Sequence, residues 1–138
     1  AVTRLRDMGV EPFLLSSTLL GVLSQRLVRM LCQHCREAYK PNDSDCRIMN
    51  IKPTQAPVLY KAVGCAHCNH SGYSGRSGIH ELVIMDRPMQ QMIHDGAGEL
   101  QLEQQARTVT ASIRQDGITK ALQGLTSLEE VLRVTKED

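Results

Sequence analysis

Two short stretches decide how this chain folds: Cys32-Gln33-His34-Cys35 and Cys65-Ala66-His67-Cys68, a C-x2-C-x29-C-x2-C pattern. Two residues between cysteines let one tight turn aim both sulfurs at a single point. Two such turns complete a tetrahedron around one ion, with metal–sulfur distances of about 2.3 Å. Four thiolates suit Zn2+, a borderline-soft ion with no redox chemistry. A closed shell of Cys32, Cys35, Cys65 and Cys68 leaves no position for water or substrate. The predicted ion is therefore structural, one per chain, and its binding energy becomes folding energy. A redox C-x2-C pair and plain disulfides remain alternatives, although the βαβ context that a thioredoxin-like pair wants is absent. His34, His67 and His70 are near enough to replace a sulfur, or else are exposed loop residues. Backbone N–H groups are expected to hydrogen-bond the thiolates, with Arg29, Arg36 or Lys61 as counter-charge. Cys46 has no partner at useful spacing and reads as a free thiol.

The surrounding segment fits a metal-held module. Residues 32–70 contain all five cysteines, three of the five histidines and three of the five prolines, with no long periodic apolar face. Such a turn-rich piece has too small a core to fold unaided. Pro41-Asn42-Asp43-Ser44 is a turn or helix start, and Val58–Val63 a short strand.

Outward from the module, residues 1–9 read as the last turns of a helix closed by Gly9. Leu15, Leu19, Val22, Leu23, Leu27 and Met30 fall near i, i+3, i+4, i+7 spacing. They predict a second helix from Pro12 or Phe13 to Leu31. After the glycine-rich Ser71–Gly78, Ile79–Met85 reads as a strand, and Asp86 as a helix cap with Pro88 in the first turn. Helices follow at about 87–95, 99–108, 112–123 and 128–135. Ser127-Leu-Glu-Glu130 has the capping-box pattern, its carboxylate turned back to the cap. The predicted fold class is α+β, mainly helical: residues 1–31 and 71–138 form one helical subdomain, with the tetracysteine module at 32–70 inserted in it.

Composition narrows function. The 138 residues carry 16 Lys and Arg against 15 Asp and Glu, so no global charge draws the chain to nucleic acid or anionic lipid. Within 32–70 the five basic residues are offset by Glu37, Asp43 and Asp45, and a nucleic-acid partner is not expected. No apolar run reaches the roughly 18 residues of a membrane span. There is no signal peptide to read, and the cysteine usage suits a reducing cytoplasmic setting. No P-loop, H-E-x-x-H, G-x-S-x-G or G-x-G-x-x-G is present. His80 and Glu81 are neighbours on a strand and point to opposite faces, a poor acid–base pair. Taken alone, the chain is not expected to be a complete enzyme.

Ala1-Val-Thr-Arg-Leu-Arg-Asp-Met-Gly9, Glu11-Pro-Phe-Leu-Leu15 and Gln25-Arg-Leu-Val-Arg29 lead into the first cysteine pair. Cys68-Asn-His-x-Gly72-Tyr-x-Gly75-Arg-x-Gly78-Ile-His-Glu-Leu82 follows the second. With Ser112-Ile-Arg, Asp116-Gly and Gly124-Leu-Thr-Ser-Leu-Glu-Glu-Val131, these stretches closely resemble the C-terminal part of the type II secretion ATPase family (general secretion pathway protein E), a relative of the type IV pilus assembly ATPases. The resemblance covers essentially the whole chain. It implies a parent that is a cytoplasmic, hexameric P-loop ATPase, peripheral at the bacterial inner membrane, which uses ATP and Mg2+ to build a pseudopilus for protein export. Its partners would be neighbouring ATPase subunits, the inner-membrane platform and a cytoplasmic scaffold. The nucleotide-binding signatures would lie before residue 1. By the same resemblance Cys32, Cys35, Cys65 and Cys68 match zinc ligands, and Arg4 and Arg76 match arginines that serve ATP hydrolysis in the ring. A guanidinium between Gly75 and Gly78 sits on backbone that can approach a phosphate or carboxylate closely. The competing reading for both arginines is a solvated residue or a salt bridge within the chain. A stand-alone zinc-ribbon interaction or nucleic-acid adaptor is the alternative function.

Overall fold

The computed structural model describes residues 2–11, 14, 16, 18 and 20–136. Six helices and four strands are defined there: α1 (Val2–Asp7), β1 (Gly21–Leu31), β2 (Glu37–Tyr39), α2 (Asp43–Met49), β3 (Leu59–Lys61), β4 (Tyr73–Ile84), α3 (Arg87–His94), α4 (Glu99–Arg107), α5 (Ile113–Leu122) and α6 (Leu128–Val134). β1 pairs with β4, and β2 pairs with β3 in a separate antiparallel ladder. The α+β class is as predicted.

The predicted helix from residue 12 or 13 to Leu31 is corrected. Residues 14, 16 and 18 are helical, and Pro12, Phe13, Leu15 and Leu19 lie outside the described residues, but Gly21–Leu31 is an eleven-residue strand. On a strand the apolar residues of this segment divide between both faces, Val22, Val28 and Met30 on one and Leu23, Leu27 and Leu31 on the other. Val28 and Met30 are buried or half-buried between exposed Leu27 and Arg29, a local alternation of two, but residues 23–27 are all exposed and Leu31 is buried, so burial does not alternate along the whole strand. The partner decides the matter: β4 runs for twelve residues, beginning at Tyr73 rather than near 79. Pairing with a strand of that length overrides the helix propensity of Leu, Gln and Arg.

Other local signals match. α1 ends as predicted, with Gly9 at φ +93° and its N–H donating to Arg6 O at 2.9 Å. Asn42 caps α2 reciprocally: its Oδ1 accepts from Asp45 N at 2.8 Å, and its N–H donates to Asp45 Oδ2 at 3.3 Å. Asp86 accepts from Met89 N at 3.0 Å to cap α3. At α6 only half of the expected box forms. Ser127 Oγ accepts from Glu130 N at 3.1 Å, but the Glu130 carboxylate is directed to arginines instead.

The chain divides into two compact units. One comprises residues 1–24 and 81–112. Its core is Val83, Met85, Met89, Ile93, Leu102 and Ala106, with Leu5, Val10 and Val22 packed against it. Arg6 Nη1 donates to Ala97 O, and Arg107 pairs with Glu81 at 2.7 Å. The other unit comprises residues 25–80 and 113–138 and is built around Met49, Leu59, Ile118, Ala121, Leu128 and Val131. In it Glu130, 1% exposed, accepts from Arg29 N at 3.1 Å, Arg29 Nη2 at 3.0 Å and Arg133 Nη2 at 2.6 Å. The Arg29 guanidinium also lies 4.2 Å from the Tyr73 ring centre, and Tyr73 Oη meets Ser127 Oγ at 2.7 Å. This network joins β1 and β4 to the start of α6.

Candidate metal centre

All four predicted cysteines converge within the second unit. Their sulfurs lie within 4.8 Å of one another. Cys32–Cys65, Cys35–Cys68 and Cys65–Cys68 are each 3.8 Å apart. A tetrahedron of sulfurs around a central ion has edges 1.63 times the metal–sulfur bond, which for zinc is about 3.8 Å. A disulfide would need about 2.05 Å, so the cysteines are free thiols. The donor set and its spacing therefore fit one four-coordinate ion, and all four sulfurs would hold it.

Local backbone explains why the sulfurs point inward. After the first pair the chain turns directly into β2, with Arg36 N donating to Cys32 O at 3.0 Å. The β2–β3 ladder, with Glu37 opposite Lys61 and Tyr39 opposite Leu59, returns the chain toward the second pair. That pair occupies a 3-10 turn, Ala66–Cys68, followed by Asn69 at φ 53° and His70 at φ 62°. Asn and His are among the residues that tolerate this left-handed region. Two glycines flank the turn. A Cβ on Gly64, at φ +116°, would lie 2.7 Å from His70 O; one on Gly72, at φ +84°, would lie 2.5 Å from Ala62 Cβ. Both are steric requirements for the close return of the chain.

Backbone N–H groups do meet the sulfurs. Gly64 N donates to Cys35 Sγ at 3.3 Å; Cys65 N and Gly72 N donate to Cys68 Sγ at 3.2 Å. Burial opposes ionisation of Cys68, yet the donors Cys65 and Gly72 outweigh it and lower this thiol to about 6. Burial raises Cys35 to about 11, with the Gly64 N–H acting in the other direction. A metal must displace protons from such thiols, so its affinity rises with pH.

Each of the expected counter-charges has a partner of its own. Arg29 is bound to Glu130, and Arg36 lies 4.2 Å from the Tyr60 ring centre and donates to Gly124 O at 2.6 Å. Lys61 faces Glu37 at 3.8 Å. The N–H groups of Gly64, Cys65 and Gly72 are the donors that meet the sulfurs. Cys46 is buried in α2 and stands outside the cluster. His34 and His67 are exposed and outside the set of metal donors, and their rings stack at 3.9 Å between centres. Arg4 is exposed on α1 and Arg76 is exposed on β4, each in a different unit. His80 donates its backbone N–H to Asp116 Oδ2 at 2.7 Å while Glu81 pairs with Arg107, so the two neighbours have separate structural roles. Among the described residues no helix is long and apolar enough to cross a membrane.

Comparison with known proteins places the chain among secretion proteins. Type II secretion system ATPase E of Vibrio cholerae serotype O1 is 56% identical over 137 residues, covering 99% of this chain and 27% of that protein. Type II secretion system protein E of Pseudomonas aeruginosa is 51% identical over 138 residues, covering 100% of this chain and 28% of that protein. The type IV pilus assembly ATPase PilB of Thermus thermophilus is 45% identical over 140 residues, covering 99% of this chain and 16% of that protein. The chain thus spans about 27% of the length of the first of these relatives. The sequence model of the family described as type II/IV secretion system protein matches residues 1–133, and on that match the chain belongs to the type II/IV secretion system protein family.

Proposed function

We propose that this chain is the zinc-containing C-terminal part of a cytoplasmic ATPase that powers pseudopilus assembly and protein export by a type II secretion system. The observation that carries the reading is the four-sulfur cluster, with tetrahedral spacing, in a chain whose relatives are secretion ATPases. One Zn2+ held by Cys32, Cys35, Cys65 and Cys68 would supply cross-linking alone, since four sulfurs fill a tetrahedral shell. Residues 32–70 then serve in the working motor as a metal-held insertion that shares a core with residues of 113–138. The parent is a hexamer at the inner membrane, and the insertion is a rigid projection for a neighbouring subunit, the platform or the cytoplasmic scaffold. ATP and Mg2+ bind elsewhere in that parent.

Arg4 and Arg76 are proposed to serve nucleotide turnover at subunit boundaries. Their exposure leaves both guanidinium groups available to an adjoining surface. Two measurements test the reading. Metal analysis of the purified chain is expected to give one zinc per chain, lost on Cys65→Ser; a zinc-free chain refutes the metal assignment. In the full-length parent, Arg76→Ala is expected to lower ATP turnover at unchanged zinc content, and unchanged turnover refutes the role of Arg76.

A further inference from the structure

We infer that the stacked His34 and His67 side chains are positioning residues that hold the two cysteine turns in register for the metal; this rests on the zinc reading above. Each histidine occupies the third position of its turn, immediately before Cys35 and Cys68 respectively. The rings are 3.9 Å apart between centres and inclined by 16°, a face-to-face contact across 33 residues of sequence. Both side chains are exposed, so hydrophobic burial does not account for their meeting. The four sulfurs already form a complete donor set without them.

The need for such a contact follows from how the turns are otherwise tied. The β2–β3 ladder joins the chain after Cys35 to the chain before Cys65, beginning at Glu37 opposite Lys61. On the other side, Cys32 N donates to Gly72 O at 2.9 Å. Both ties lie at the bases of the turns. At the tips, the stack joins Gln33-His34 to Ala66-His67. A stacked aromatic pair shifts an equilibrium by about two- to tenfold beyond its burial. Here that shift favours the opposed arrangement of the thiols before the ion arrives, lowering the ordering cost of binding.

The test measures zinc affinity of the whole chain by competition with a chromogenic chelator, at one fixed pH of about 8 for every chain, so that proton competition for the thiols is common to all of them. The chains are wild type, His34→Ala, His67→Ala, the double variant, and His34→Phe and His67→Phe. Circular dichroism of each confirms folding, which exposed substitutions should leave intact. Each single alanine is expected to weaken zinc binding by about two- to tenfold, with stoichiometry still at one. The double variant should be no weaker than the weaker single, because one shared contact is lost in all three. Phenylalanine should preserve most of the affinity, since it keeps a ring and discards the nitrogens. Unchanged affinity in the alanine variants, additive losses, or phenylalanine variants as weak as alanine would each overturn the inference. A wild-type chain that takes up no zinc would instead overturn the metal reading beneath it.

Discussion

Replacing Glu130 by glutamine isolates one buried charge. Glu130 is 1% exposed and is met by both Arg29 and Arg133. Burial pushes its carboxyl up, but hydrogen bonds from Arg133 and then Arg29 outweigh that and bring it from 4.5 to about 2. By linkage such a depression corresponds to roughly 3 kcal/mol of stabilisation. Arg29 and Arg133 are 45% and 58% exposed, so water screens much of the attraction. A net contribution of about 1–2 kcal/mol is the discounted figure. Because the folded carboxyl is depressed, this stability is fully present above its unfolded value of 4.5 and is lost as pH falls toward 2. Glu130→Gln is isosteric and keeps the backbone N–H that Ser127 caps, so packing and helix start are preserved. Urea denaturation of both chains should show the variant less stable by about 1–2 kcal/mol at neutral pH, with the gap closing below about pH 4. Acid release of a metal affects both chains alike and cancels in the difference. A variant as stable as wild type at neutral pH, or a deficit that persists unchanged at pH 2–3, would refute the reasoning.

Three further outcomes follow from the same contacts. Zinc chelation is expected to expose the amides of residues 59–72 to hydrogen exchange while residues 81–112, which have their own core, stay protected; uniform protection after chelation would contradict a structural ion. Cys46→Ser should leave metal stoichiometry unchanged but lower stability by about 1–3 kcal/mol, because a hydroxyl is buried where the thiol is 1% exposed; loss of metal would place Cys46 in the site after all. Gly117→Ala should destabilise by about 1–3 kcal/mol despite the better helix propensity of alanine, since its Cβ would lie 2.6 Å from Val131 Cγ1 and 3.2 Å from Ile79 Cδ1 in a packed core; a higher melting temperature would contradict that packing.

What could be read from the residues alone depended on how far apart the deciding groups lie. The cysteine pairs were legible because C-x2-C is local geometry: each turn aims two sulfurs, and one ion needs four. The helix starts at Arg87 and Leu128 were legible for the same reason, through caps three residues from their targets, while Pro41–Ser44 read equally as a turn or as the start of the helix that follows. The strand at Gly21–Leu31 was not. Its apolar residues fit a helical stripe, and the deciding fact is a partner beginning at Tyr73, 42 residues beyond Leu31. Glu130 failed in the same way. Its spacing to Ser127 suggested a carboxylate turned back to the cap, whereas the stronger claimants are Arg29, 101 residues away, and Arg133. Both errors replaced a distant, charge-assisted or paired contact with a nearby weaker one. The histidines invert the case. Their matched third positions were visible, yet carried no meaning until opposing turns brought the rings to 3.9 Å. A positional echo between two motifs becomes a contact only when the fold brings the two motifs face to face. In this chain the convergence of the four sulfurs, foreshadowed by local spacing, comes with the least legible contact of the site.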